Sequence, residues 1–385
     1  MIRHALPLFL LALLPIQGCA SEAAVQANLC SQPGVWLSHD GAEGVRQADP
    51  VALLERLATN QVVLLGETHD SAEDHRWQLH TLAQLHARQP RLAIGFEMFP
   101  RRLQPVLDRW VAGELSEAEF LRETEWNRVW GYDARLYLPL FHYARMNRLP
   151  MLALNVERSL ISAVDAHGWD GVPEAQREGV TRPAAPPEAY REMLRQVYSH
   201  HPEKGQDEAG FERFVQAQAT WDRAMAEGIA AHLKRQPDAL VVGIMGAGHV
   251  RFGHGVAHQL ADLKVHRVAN LVTWDAEGRC EGYKAGMADA AYVVRAPQSN
   301  PPRLGIAMEA VTGGIRIAQV TAGSVAEQAG LKAGDVVAEA AGVTISSPQV
   351  MRQTVERQAP GTWLPLKVRR DGQELEIVAR FPPAP

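Results

Sequence analysis

The stretch LLGETHDSAEDH, residues 64–75, decides how the first two thirds of this chain are read. It begins as the end of an apolar strand and passes within one residue into Glu67, Thr68, His69 and Asp70. Unpaired charge is costly beside buried backbone, so carboxylates and imidazoles at a strand end need a reason. In an open parallel sheet the reason is position, because ligands bind outside the carboxyl ends of the strands. Working outward, strand-length apolar runs recur at 61–65, 92–96, 150–154, 239–245 and 265–273, separated by helical patterns. Strands alternating with helices predict βαβ units, hence an α/β fold with a mainly parallel sheet flanked by helices. Ser71 followed by Glu73 and Asp74 predicts an N-cap and acidic first turn for a helix through Ala87. Residues 160–237 read as helical and polar, with a Pro-rich break at 183–187.

The first four predicted strands deliver polar residues at their carboxyl ends. The first supplies Glu67 and His69, the second Glu97, the third Asn155 and Glu157, and the fourth His249 after Gly246 and Gly248. Glu67 and His69 are two apart and point the same way in an extended segment. With His249 they make a mixed N/O set for a divalent metal such as zinc. The alternative to binding alone is then a metal-dependent hydrolase or peptidase using Glu67, His69 and His249 with Glu97; without a metal the same residues supply a general acid and base pair. The helical HExxH pattern is missing from the sequence. A second cluster runs from Trp126 to Tyr143 and holds Trp130, Tyr132 and Tyr137. It reads either as core or as a flat pocket for a planar ligand with a phenolate for iron. Arg101 and Arg102 stand either for partners of ligand carboxylates or for a solvated helix face.

The 385 residues suit two domains plus a targeting segment. Hydrophobic residues make up 46% and charged residues 22%, a globular balance, and the net charge of −5 comes without a basic stripe, which argues against a nucleic-acid partner. Arg3 followed by an apolar run too short to span a bilayer predicts an export signal over 1–18. Its end, Ile16-Gln17-Gly18-Cys19, resembles a bacterial lipobox, which implies lipidation at Cys19 and an outer-membrane lipoprotein facing the periplasm, the alternative being a soluble periplasmic protein. A tether, with an edge segment of the sheet, is expected over 19–44. Cys30 and Cys280 either pair across the first domain or are two unrelated thiols.

Gly66-Glu67-Thr68-His69, Phe96-Glu97-Met98-Phe99, the aromatic stretch with Tyr137, Pro139 and Leu140, Ala217 to Asp222, and Gly246-Ala247-Gly248-His249 together resemble the ChaN-like haem-binding lipoproteins. That family lies in the superfamily of the Tiki/TraB metallopeptidase-like proteins and the erythromycin esterases. The resemblance places this domain at 45–296 and implies haem as ligand, a role in iron or haem acquisition, and haem held between two protomers by a tyrosine with a supporting histidine. Tyr137 is the preferred iron ligand, with Tyr132 and Tyr143 left open; His69 and His249 are the supporting histidines.

After the polar, Pro-rich stretch 298–302 the texture changes, and residues 303–382 resemble a PDZ domain, carried by Gly323-Ser324-Val325 through Ala329-Gly330-Leu331 to Gly334-Asp335-Val336. Leu304, Gly305 and Ile306 match the loop that receives a peptide's terminal carboxylate, and Met351 and Val355 line the groove of the helix read at 347–357. The resemblance implies a small β-rich module that binds the C-terminus of a peptide or protein.

Overall fold

A computed structural model describes residues 29–41, 44–199, 207–295 and 302–383. The chain divides into two compact units between Ala296 and Pro297. The expected export signal and Cys19 lie outside the described residues. Among the described residues, no helix is long and apolar enough to cross a membrane.

The first unit is built on eight strands: β1 (Trp36–Asp40), β2 (Gly44–Gln47), β3 (Val62–Glu67), β4 (Leu92–Pro100), β5 (Met151–Asn155), β6 (Leu240–Gly246), β7 (Val268–Asp275) and β8 (Ala290–Val294). Their order in the sheet is β2-β1-β8-β7-β3-β6-β4-β5. From β8 to β5 every pairing is parallel, while β1 joins β8 and β2 antiparallel. The five predicted strands are all present, within a few residues of their expected bounds.

Every residue of β3, β4 and β6 is buried, which is why these segments read as unbroken apolar runs and not as alternation. Both faces are covered. Val63, Leu65, Ile94 and Phe96 pack into one core with Trp77, Leu82, Trp110 and Phe141, from the helices Ala72–Arg88, Gln104–Ala112 and Ala134–Asn147. Val62, Leu64 and Met245 pack on the other face with Ile229, Leu233 and Leu260, from the helices Glu208–Arg235 and Val256–Asp262. The chain leaves β3 for β4 and β5 on one side, returns through β6 between β3 and β4, and then crosses to β7 and β8 beyond β3. That reversal brings the carboxyl ends of β3, β6 and β4 side by side, the place where an open sheet leaves a crevice.

Within 19–44 the described residues include Cys30 and β1, and β1 pairs with β8 through Trp36↔Tyr292 and Leu37↔Ala291. A five-residue strand with three half-buried positions gives too weak a periodic signal to be seen alone. β8 likewise follows Cys280, so the sheet continues beyond the last strand that was read. Cys30 and Cys280 are joined in a disulfide, with Cα atoms 5.5 Å apart. The helix holding Pro139 begins at Ala134, capped by Asp133.

The second unit has six strands, β9 (Ile306–Val311), β10 (Gly314–Val320), β11 (Val336–Ala340), β12 (Val343–Thr344), β13 (Trp363–Arg370) and β14 (Gln373–Arg380), ordered β14-β13-β11-β10-β9 with β12 on β11. The helix Pro348–Glu356, capped by Ser347, buries Met351 and Val355 against Leu304, Ile315 and Leu366. Asp335 is 1% exposed and accepts from Arg370 Nε at 2.7 Å, Arg370 Nη2 at 2.8 Å and the Lys332 backbone N–H at 2.8 Å. Burial alone would raise its pKa, but the Arg370 guanidinium and the Lys332 N–H outweigh that and hold it below the ordinary value. A carboxyl whose folded pKa is depressed contributes stability above its unfolded pKa and loses it as pH falls through the folded one. The unfolding midpoint of this unit is therefore expected to fall steeply below about pH 4. In Asp335→Asn the midpoint starts lower and its acid dependence is shallower; equal slopes in the two proteins, followed by circular dichroism, would contradict the assignment.

Candidate functional site

Glu67 ends β3 and is 3% exposed. Its Oε1 accepts from Tyr137 Oη at 3.1 Å and faces His69 Nδ1 at 2.7 Å. His75 Nε2 lies 3.1 Å from Oε2, yet the geometry leaves that oxygen without a hydrogen bond. A buried carboxylate oxygen left open in this way is a feature of sites more than of cores. The turn after β3 is held by Asp74, which accepts from the Thr68 N–H at 2.8 Å and the Thr273 hydroxyl at 3.0 Å. The His69 ring packs over Gly246: a Cβ there would come within 2.9 Å of His69 Cε1, so glycine is what lets the two loops touch.

Glu97, from β4, accepts from the Gly246 N–H at 2.6 Å and stands 3.5 Å from His249 Nε2. His249 Nδ1 is 2.6 Å from Asp222 of the long helix Glu208–Arg235, and Asp222 also accepts from Tyr190 Oη at 2.9 Å. Glu67, His69, Glu97 and His249 thus share one rim, with Glu67 in register with Gly246, three residues before His249. Two carboxylate–imidazole pairs result, Glu67 with His69 and Asp222 with His249, and Glu97 lies between them.

Electrostatics follow from this arrangement. Burial would lower the pKa of His249, but Glu97 and Asp222 overcome it and push it well above the ordinary value. Burial would raise that of Glu97, yet the His249 imidazolium brings it below the ordinary carboxylate range. His69 is also raised, since Glu67 and Glu97 outweigh its desolvation. Near neutral pH, His249 is a cation and Glu97 an anion. Among the described residues, no group of three or more His, Cys, Asp or Glu is arranged to hold a metal ion. Glu67, His69 and His249, the expected metal set, are divided between two hydrogen-bonded pairs.

The aromatic cluster divides in the same way between core and surface. Tyr137 is fully buried, its hydroxyl bound to Glu67, and burial together with Glu67 raises its pKa far above the ordinary value. Tyr137, the tyrosine preferred from the sequence, therefore points into the core beneath the rim. Tyr143 turns away to His86 Nδ1 at 3.0 Å. Tyr132 is 39% exposed, and its ring lies 5.1 Å from that of His69. Gly131 at φ +83 makes the turn that presents it, and Trp126 Nε1 fixes its carbonyl at 2.7 Å. Trp130 packs edge-on against His69 at 4.7 Å. The adjoining cavity, bounded by Met98, Trp130, Arg158 and Trp221, is about 120 Å³, below the ~300–1,000 Å³ of a usual small-molecule pocket.

Arg101 and Arg102 are not available to ligand carboxylates: Arg101 binds Glu227 and the Ala224 carbonyl, and Arg102 binds Glu125 and Glu157. Asn155 donates to the Glu97 carbonyl at 2.8 Å and so braces β4. Asp222, Tyr190 and His75 were not singled out as site residues by sequence reasoning; Asp222 was visible only as part of a family motif, and nothing local marks the other two.

The model of the haem-binding uptake family ChaN, of the Tiki superfamily, matches residues 53–260, more than half of the chain. The chain belongs to that family. A PDZ domain model matches residues 302–379 of this ChaN-family chain. Among solved structures, that of cofacial heme binding to ChaN of Campylobacter jejuni is 16% identical, covers 67% of this chain and 95% of its own, and superimposes with a TM-score of 0.53, which shows the shared fold. The HtrA-type protease AlgW with decapeptide (26% identity, 22% of this chain, 29% of that one, TM-score 0.20) and the HtrA3 PDZ domain bound to a phage-derived ligand (23%, 20%, 82%, 0.19) are also similar to it. No curated protein matches the chain.

Proposed function

We propose that this ChaN-family chain binds haem on the open face around Tyr132, His69 and Trp130, with Tyr132 as iron ligand, in the service of haem or iron uptake. The observation that carries the reading is the exposure of Tyr132 directly beside His69, in contrast to the burial of Tyr137. Glu67 holds His69 by its Nδ1, the carboxylate–imidazole arrangement that orients a ring and raises its basicity. Arg158, exposed at the edge of the small cavity, makes no ion pair with the described residues and is the cation placed for a propionate. An open face leaves half of a planar ligand in water, so a second copy stacked cofacially on the first is the expected cover, and association then depends on ligand by linkage. Sedimentation with and without haemin tests this: a haemin-dependent shift from monomer to dimer is expected, and an unchanged monomer that binds haem rejects the paired arrangement.

Export as an outer-membrane lipoprotein through Cys19 agrees with the Cys30–Cys280 disulfide, which belongs to an oxidising compartment. The second unit is read as the module that holds the C-terminus of a partner. A hydrolase reading draws on one observation, the placement of Glu97 between His69 and His249. Because His249 is cationic it would serve as an electrostatic stabiliser and not as a base.

A further inference from the structure

We propose that the groove of the second unit selects C-terminal segments that end in an apolar residue and carry Asp or Glu two positions before the end. The inference rests on the reading of this unit as a peptide-binding module and adds a sequence preference to it. Among the described residues β9 lies at the edge of its sheet, hydrogen-bonded to β10 on one side only, so its other side is open to an added strand. Between β9 and the helix Pro348–Glu356 runs a cleft of about 840 Å³, whose apolar lining includes Leu304, Ile306, Met308, Met351 and Val355. Gly305, at φ +83, is packed so closely that a Cβ would meet that of Ser324 at 2.3 Å, which keeps the loop before β9 tight and its backbone near the end of the cleft.

The charge in this cleft is uneven. Arg303 and Arg352 both line it, both are exposed, and neither makes an ion pair or side-chain hydrogen bond with the described residues. Glu356 is the single acidic side chain among the lining residues. Arg303 directly precedes the Leu304–Ile306 loop and so complements the terminal carboxylate. Arg352 sits on the helix between Met351 and Val355, which leaves it for a side chain of the ligand.

In an added strand, alternate side chains point the same way and are about 6.6 Å apart. When the last side chain fills the apolar part of the cleft, the one two positions earlier faces the helix one step along. Arg352 is about 4.5 Å along the helix axis from Val355, and its long stem spans the remainder. A carboxylate there receives a charge-assisted hydrogen bond from a guanidinium that makes no ion pair with the described residues.

Fluorescence-anisotropy titration of the whole chain with labelled peptides ending Ala-Glu-Ala-Val, Ala-Gln-Ala-Val and Ala-Lys-Ala-Val tests the proposal. The Glu peptide is expected to bind about fivefold tighter than the Gln peptide at low salt, the upper range for an exposed ion pair, and the Lys peptide weakest. In Arg352→Gln the Glu and Gln peptides bind equally, and raised salt removes the preference in the unsubstituted chain. Equal affinity of the Glu and Gln peptides for the unsubstituted chain overturns the acidic preference while binding itself upholds the groove. No binding by any peptide, or no loss on amidating the terminal carboxylate, overturns the peptide-binding reading and the preference with it.

Discussion

Haemin added to the Tyr132→Phe chain is expected to give no tyrosinate-type absorption, with affinity lowered by more than about 100-fold, the upper end of what loss of an outer-shell partner costs a metal site. Tyr132 is the exposed tyrosine on the His69 face, and the phenyl ring of the variant keeps its stacking area while removing the donor oxygen. Tyr137→Phe is the matched control. Its hydroxyl serves Glu67 and the His69 carbonyl from within the core, so that variant keeps the spectrum and loses about 1–3 kcal/mol of stability, as expected when a buried carboxylate is deprived of a donor. The reverse pattern, a spectrum lost with Tyr137→Phe and kept with Tyr132→Phe, would falsify the assignment of the iron ligand. A weakened but tyrosinate-like complex in both variants points instead to a tyrosine supplied from elsewhere.

The second large effect concerns the disulfide. Cys30 and Cys280 are 250 residues apart, so the bond closes nearly the whole first unit into one loop. Loop-closure entropy grows with the logarithm of loop length, and for this length it gives roughly 5 kcal/mol as an upper figure, with about 2–5 kcal/mol typical for native bonds. Cys30 is fully buried against the second core, and it anchors the segment that leads into β1. The Cys30→Ser, Cys280→Ser double variant is therefore expected to unfold about 10 °C lower in the transition of the first unit, with the transition of the second unit unmoved. Scanning calorimetry distinguishes the two. An unshifted first transition means that β1 and β2 hold their edge of the sheet without the covalent tie, and that the entropic argument does not apply to this chain.

Much of this architecture was legible in the residues. β3, β4 and β6 are buried on both faces, and a doubly covered strand shows itself as a run of apolar residues that no helix period explains. The rim residues were legible for the same reason, since Glu67, Glu97 and His249 follow directly where such runs stop. β1 and β8 were not. Each is five residues long, and β1 is held by its partner strand and a distant cysteine more than by a pattern of its own. The divided fates of Tyr132 and Tyr137 were equally hidden. They are five residues apart in one aromatic stretch, and the boundary between loop and helix at Asp133 decides that one faces solvent and the other the core.

Residue type and order alone determined a parallel α/β unit, a polar rim at its carboxyl edge, and a small β-rich module after residue 302, because periodicity and strand-end chemistry are local properties that survive without coordinates. Only the tertiary structure decided that Asp222 charges His249, that Glu97 stands between the two imidazoles, and that Tyr132 holds the exposed place beside His69. Those facts depend on which groups are desolvated together, and desolvation is set by segments as far apart as Glu97 and Gly246, which no reading along the chain brings into contact.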